Sequence, residues 1–171
     1  MDPSYVLDST VLIDLSQHFH SRQIRDALGH LASASQVKIS EGVQRELGRK
    51  SDWAHGIVQY LVKKYPNSLV QIDRVPRLGE ELARIERLYG EEIRVGTRHY
   101  PGFWKSAHGR KAVDGQVVAL AKKPNLTAVS DDRAVRLACM LEGIPCVGWT
   151  DFARTLGLHQ QLSLLPRARK G

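Results

Sequence analysis

Along the chain, short apolar runs give way repeatedly to helical spacing. Tyr5-Val6-Leu7 is a β-rich run, after which Val11, Leu12 and Leu15 recur at the period of a helix. Ile24, Leu28 and Leu31 predict a second helix over about Ser21 to Ser35, and Val37-Lys38-Ile39 a strand. Ser40 is placed to cap a helix carrying Val43 and Leu47. A helix from Trp53 to Tyr65 stops at Pro66-Asn67, and Leu69-Val70-Gln71-Ile72 reads as a third strand. Pro76 opens a helix whose apolar face holds Leu78, Leu82, Ile85 and Leu88, with Gly90 closing it. Beyond an aperiodic stretch, the pattern predicts a helix at Asp114 to Lys123, a strand at Leu126 to Val129 and a helix at Asp131 to Glu142. A strand at Cys146 to Trp149 and a last turn of helix at Asp151 to Leu156 follow. Strands alternating with helices predict an α/β domain with a mainly parallel sheet.

The aperiodic stretch, about 89–111, holds Gly96, Pro101, Gly102 and Gly109 and predicts a long loop or irregular insertion. One domain over 1–157 and a basic tail over 158–171 complete the expected organisation.

Composition narrows the class of function. Apolar residues are 42% and charged residues 25%, a globular balance that excludes a disordered chain. No apolar run is long enough for a membrane span, and the start lacks the pattern of a secretory signal, so a cytoplasmic protein is expected. Cys139 and Cys146 belong to no C-x-x-C pair and are expected to be reduced core residues. The net charge of +7 favours a polyanionic partner, with nucleic acid first.

In parallel sheets, ligands gather at the carboxyl ends of the strands, where strand order reverses. Asp8 directly follows the first strand, Asp131 and Asp132 follow Leu126 to Val129, and Asp114 starts the helix leading into that strand. Each also suits a helix N-terminus, where Asp is favoured by capping and by the dipole. Glu46 lies inside a helix, about 60° around the wheel from Val43, and leans toward the buried side. Glu41, nearly opposite Val43, is expected to face water. Several acids at one sheet edge repel unless a cation sits among them. Oxygen ligands of this kind suit Mg²⁺ or Mn²⁺.

Four segments then resemble the ordered motifs of PIN-domain nucleases. Val6-Leu7-Asp8-Ser9-Thr10 is similar to the opening motif. Ser40-Glu41-Gly42-Val43-Gln44-Arg45-Glu46 has the strand-ending Ser with a Glu six positions on. Val113-Asp114-Gly115-Gln116 is similar to the third motif, and Ser130-Asp131-Asp132 to the fourth. Thr10 stands where the family often has Asn, and the fourth motif has two adjacent acids. The resemblance implies a three-layer α/β/α sandwich with a five-stranded parallel sheet. It implies that Asp8, Glu46, Asp114 and Asp132 together hold Mg²⁺ or Mn²⁺, with Asp131 a neighbour able to bind through water. Ser9, Thr10 and Ser130 would orient ligands or a phosphate oxygen. Such ions activate water for in-line attack on phosphorus, so no His or Ser nucleophile is needed.

The activity implied is metal-dependent cleavage of RNA, as the toxin of a type II toxin–antitoxin pair, with an antitoxin protein and a homodimer as expected partners. A housekeeping RNA-processing nuclease and a non-cutting module that binds RNA or protein are the alternatives. The motifs of P-loop, dinucleotide-binding, serine-hydrolase and zinc-protease enzymes are missing from the sequence. Arg94, Arg98, Trp104, Lys105, Arg110 and Lys111 interleave cations with an aromatic ring, a composition that grips single strands. The other reading of the same stretch is a solvated loop pinned to the core by Phe103 and Trp104.

Overall fold

The computed structural model describes residues 3–49, 52–105 and 113–159. Arg110, Lys111 and the basic tail beyond His159 lie outside the described residues.

The chain runs β1 (Ser4–Leu7), α1 (Ser9–His18), α2 (Ser21–Ser33), β2 (Val37–Ser40), α3 (Glu41–Leu47), α4 (Trp53–Lys64), β3 (Leu69–Val70) and α5 (Leu78–Tyr89). It continues through β4 (Glu92–Val95), β5 (Arg98–Pro101), α6 (Val113–Ala121), β6 (Leu126–Val129), α7 (Arg133–Glu142), β7 (Cys146–Val147) and α8 (Trp149–Thr155). Five strands form one parallel sheet in the order β3-β2-β1-β6-β7. From β1 the chain steps outward to β3, then returns to the other side of β1. Right-handed crossovers therefore put the two groups of helices on opposite faces. Accordingly α1, α2 and α4 pack on one another, as do α5, α6 and α7. The result is the α/β/α sandwich with a five-stranded parallel sheet.

Burial explains which runs became which element. Val6 and Leu7 are fully buried because the central strand is covered on both faces. From Gly115 to Ala121 every residue of α6 is buried, so this helix carries no polar stripe. Along α5 the inward positions are Leu78, Ile85 and Tyr89, while Leu88, expected on that face, is 48% exposed.

Three other expectations are corrected. The third strand ends at Val70, and Ile72–Arg74 is a 3-10 turn. The N–H of Ile72 donates to Glu41 Oε1 at 3.0 Å instead of to a neighbouring strand. Glu41, expected to face water, is thus part-buried and ties α3 to the end of β3. As far as Lys105, where its described part ends, the stretch beginning at Tyr89 is not irregular. It holds an antiparallel hairpin of β4 and β5, registered Ile93 opposite Tyr100 and Val95 opposite Arg98. Its turn uses Gly96 at φ 60°. A 3-10 turn, Phe103–Lys105, then folds back under α5, where Phe103 is buried and meets Tyr89 edge to face at 6.3 Å.

Candidate metal centre

The strand order reverses between β1 and β6, and the carboxyl ends of these two strands open the cleft that a doubly wound sheet uses for ligands. Asp8 ends β1 and caps α1, with Ser9 N–H donating to its Oδ1 at 2.7 Å. Its Oδ2 accepts from Thr10 Oγ1 at 3.1 Å and from Ser130 Oγ, across the cleft just past the end of β6, at 2.6 Å. Ser130 Oγ in turn accepts from the N–H of Asp132 at 3.1 Å. One buried hydroxyl thereby ties the ends of β1 and β6 together. Asp132 caps α7 through Oδ1, which accepts from Val135 N–H at 3.0 Å. Its other carboxylate oxygen has no donor among the described residues.

Asp114 lies in the first turn of α6, and Glu46 sits half-buried on α3. Gly42 sets their approach. Its N–H donates to Oε1 of the buried Gln116 at 2.9 Å, and a Cβ there would stand 2.5 Å from that oxygen. A side chain here would have to displace the amide end of Gln116 and break this link between α3 and α6. Gln116 was not anticipated as part of this site. The one sequence signal was a glycine in the first turns of a short helix, where it costs about 1 kcal/mol relative to alanine.

The electrostatics bring the acids together. Burial pushes the Asp114 carboxyl up to about 8, with the negative charges of Asp8, Asp132 and Glu46 adding to the rise. Burial also raises Asp8, opposed by the hydrogen bonds from Ser130, Thr10 and Ser9 and reinforced by Asp132. Among the described residues the charges acting on Asp114 are all negative. Among the described residues no three His, Cys, Asp or Glu side chains stand close enough to hold one ion as they are. Uncompensated carboxylates repel, and Asp8 is turned toward its hydroxyl donors. The donor set nonetheless fits a hard divalent cation: it is all carboxylate oxygen, on separate elements facing one cleft.

Asp131 stands apart from the other acids. Its Oδ2 accepts from Trp149 N–H at 2.7 Å, capping α8, and its Oδ1 meets Arg136 at 3.3 Å. The expected water-mediated role has no support in that placement. Asp14, half-exposed on α1, is raised by burial and by Asp131, and is not among the charges acting on Asp8 or Asp114.

The cations expected to meet RNA divide. Arg94 pairs with Glu92 at 3.0 Å, and Lys105 with Glu91 at 3.2 Å. Arg98 is exposed and has no acidic partner among the described residues. Trp104 is 39% exposed and lies over Gly90, where a Cβ would come within 2.6 Å of its ring. Of the two aromatics, Phe103 is therefore the residue that pins this segment to the core. The chain matches no protein-family model, and no curated protein shows significant similarity to it.

Proposed function

We propose that the chain is a metal-dependent endoribonuclease whose ion is held by Asp8, Glu46, Asp114 and Asp132. The observation that carries this reading is Asp114, whose carboxyl is raised to about 8 by burial and by three acids, with no cation in reply among the described residues. A fold that keeps acids together against this repulsion gains from the arrangement only when something positive joins them.

A divalent ion bound there supplies Lewis-acid polarisation of the phosphoryl group and positive charge for the attacking and leaving oxygens. The chain's own residues prepare the site. Ser130 and Thr10 donate to Asp8 Oδ2 and fix its carboxylate plane, while Ser9 N–H holds Oδ1. Capping fixes Asp132 by one oxygen and leaves the other without a donor among the described residues. Gln116 holds α3 against α6 and so sets the reach of Glu46 toward Asp114. Binding of a cation requires Asp114 to give up its proton, so affinity for metal rises with pH up to about 8.

The test is cleavage of single-stranded RNA by purified wild type with Mn²⁺ or Mg²⁺, beside Asp8→Asn and Asp132→Asn. Wild-type cleavage that needs the ion, and its loss in both variants with their melting transitions intact, is expected. Cleavage by Asp8→Asn at the wild-type rate would overturn the reading. The toxin role implied by the resemblance belongs to the same proposal: expression of the wild type should arrest growth where Asp8→Asn does not.

A further inference from the structure

Arg133 is the first residue of α7, directly after Asp132. A cation there opposes the helix dipole, and an acid or neutral residue would stabilise the helix better. The guanidinium is exposed and meets no carboxylate among the described residues. Instead its central carbon sits over the ring of Tyr100, 4.4 Å from the ring centre. Tyr100 is on β5, and β4 of the same hairpin packs on α7. A stacked guanidinium keeps the N–H groups at its edge free for the bidentate contacts that phosphate favours.

The hairpin sorts its charges by face. Strand alternation puts Arg94 and His99 on one side, opposite each other in register, and Glu92 there pairs with both. On the other side lie Ile93, Val95 and Tyr100, with Arg98 beside Val95 at the turn. Among the described residues Arg98 and Arg133 are thus the cations without acidic partners on the side facing α7; Arg133 directly follows Asp132, and Arg98 is two residues along β5 from the Tyr100 that Arg133 covers.

We propose that Arg133, laid across Tyr100, and Arg98 form a grip for the phosphates of single-stranded RNA alongside Asp132. The proposal deepens the nuclease reading and rests on it for the kind of ligand. It moves phosphate contact from Arg94 and Lys105, which their acids neutralise, to a residue outside the predicted RNA-binding set. The contacts are to the backbone, so they position a strand without reading its sequence.

Binding of a fluorescein-labelled single-stranded RNA, followed by anisotropy in EDTA at several salt concentrations, tests the grip separately from cleavage. Arg133→Ala should weaken binding about fivefold and make the log–log salt slope shallower by about 0.7. Arg133→Lys should recover the slope but not the whole affinity, because it keeps the charge and loses the fork. Arg22→Ala, removing an exposed cation of α2, should leave both unchanged. Since Arg133 opposes the helix dipole, its loss should not lower the melting temperature. A purely structural residue would instead lower the melt and leave the slope alone. Wild-type affinity and slope in Arg133→Ala, equal weakening in Arg22→Ala, or no RNA binding by the wild type would each overturn the grip. Metal-dependent cleavage by the wild type in the face of such a result would leave the nuclease reading standing.

Discussion

Replacing Asp114 by Asn should stabilise the metal-free protein, and the gain should depend on pH in a defined direction. The Asp114 carboxyl has an ordinary value of 3.8 and is pushed up to about 8 in the fold. Between those values the unfolded chain has lost this proton while the folded chain holds it. Stability then falls as pH rises, by about 1.4 kcal/mol per pH unit. Below about pH 4 both states hold the proton and the carboxyl costs nothing, and the cost is complete above about pH 8. At pH 7 the ceiling on the cost is about 4 kcal/mol. Water entry and movement of neighbouring acids reduce this to about 1–2 kcal/mol.

Urea melts of wild type and Asp114→Asn in EDTA should therefore coincide near pH 4 and separate as pH rises, with the variant the more stable. Saturating Mn²⁺ should reverse the order. A ligand at a hundred times its dissociation constant adds about 2.7 kcal/mol to the wild type and little to a variant lacking a ligand. If Asp114 serves only the dipole of α6, the variant is instead less stable in EDTA, by about 0.3–1 kcal/mol at neutral pH, and Mn²⁺ does not distinguish the two. That result would refute the clustered-acid account even if the protein cleaved RNA.

Ser130→Ala should cost about 1–3 kcal/mol in a thermal melt, because it leaves the buried Asp8 Oδ2 and the Asp132 N–H without the hydroxyl that joins them. Gly42→Ala should cost about 1–3 kcal/mol and lower metal affinity as α3 is pushed from α6, with Gln116→Ala relieving part of the loss in the double variant. Glu142, pushed down to about 2 chiefly by Arg84, then Lys122 and Tyr89, against the effect of its burial, stabilises the fold above about pH 4.5 and loses that contribution as pH falls toward about 2. Acid titrations should find wild type and Glu142→Gln converging over that window, from a difference of about 1–2 kcal/mol at neutral pH.

The sheet was legible because its strands are short apolar runs punctuated by capping residues. Asp8, Ser40 and Asp132 each cap the helix that follows a strand. What failed to register in the sequence was made by partners distant along the chain. The hairpin escaped notice because Arg94 and His99 line its outer face and Arg98 interrupts the inner one, leaving Ile93, Val95 and Tyr100 to mark it. Glu41 looked solvent-facing on its own helical wheel, but the N–H that it satisfies belongs to Ile72. Asp131 and Asp132 are neighbours that capping alone could not tell apart. The N–H of Trp149 turns one toward α8, while α7 claims a single oxygen of the other. Arg133 looked like any surface cation until the hairpin brought Tyr100 beneath it.

The two ends of α6 and α7 show that the fold neutralises carboxylates where nothing else will. At their C-terminal ends Glu142 and Glu81 share Arg84 and Lys122, and Tyr89 donates to Glu142 at 2.6 Å. These cations and the phenol hold Glu142 down at about 2. At their N-terminal ends Asp114 and Asp132 stand near Asp8 and Glu46, and Asp114 rises to about 8. The chain has 25 Lys and Arg against 18 Asp and Glu, so cations were not scarce. Arg133, beside Asp132 in sequence, stacks on Tyr100 and bridges to no acid among the described residues. A cleft whose acids meet no cation among the described residues, with Arg133 stacked beside it, is suited to a small cation inside and a polyanion across its mouth.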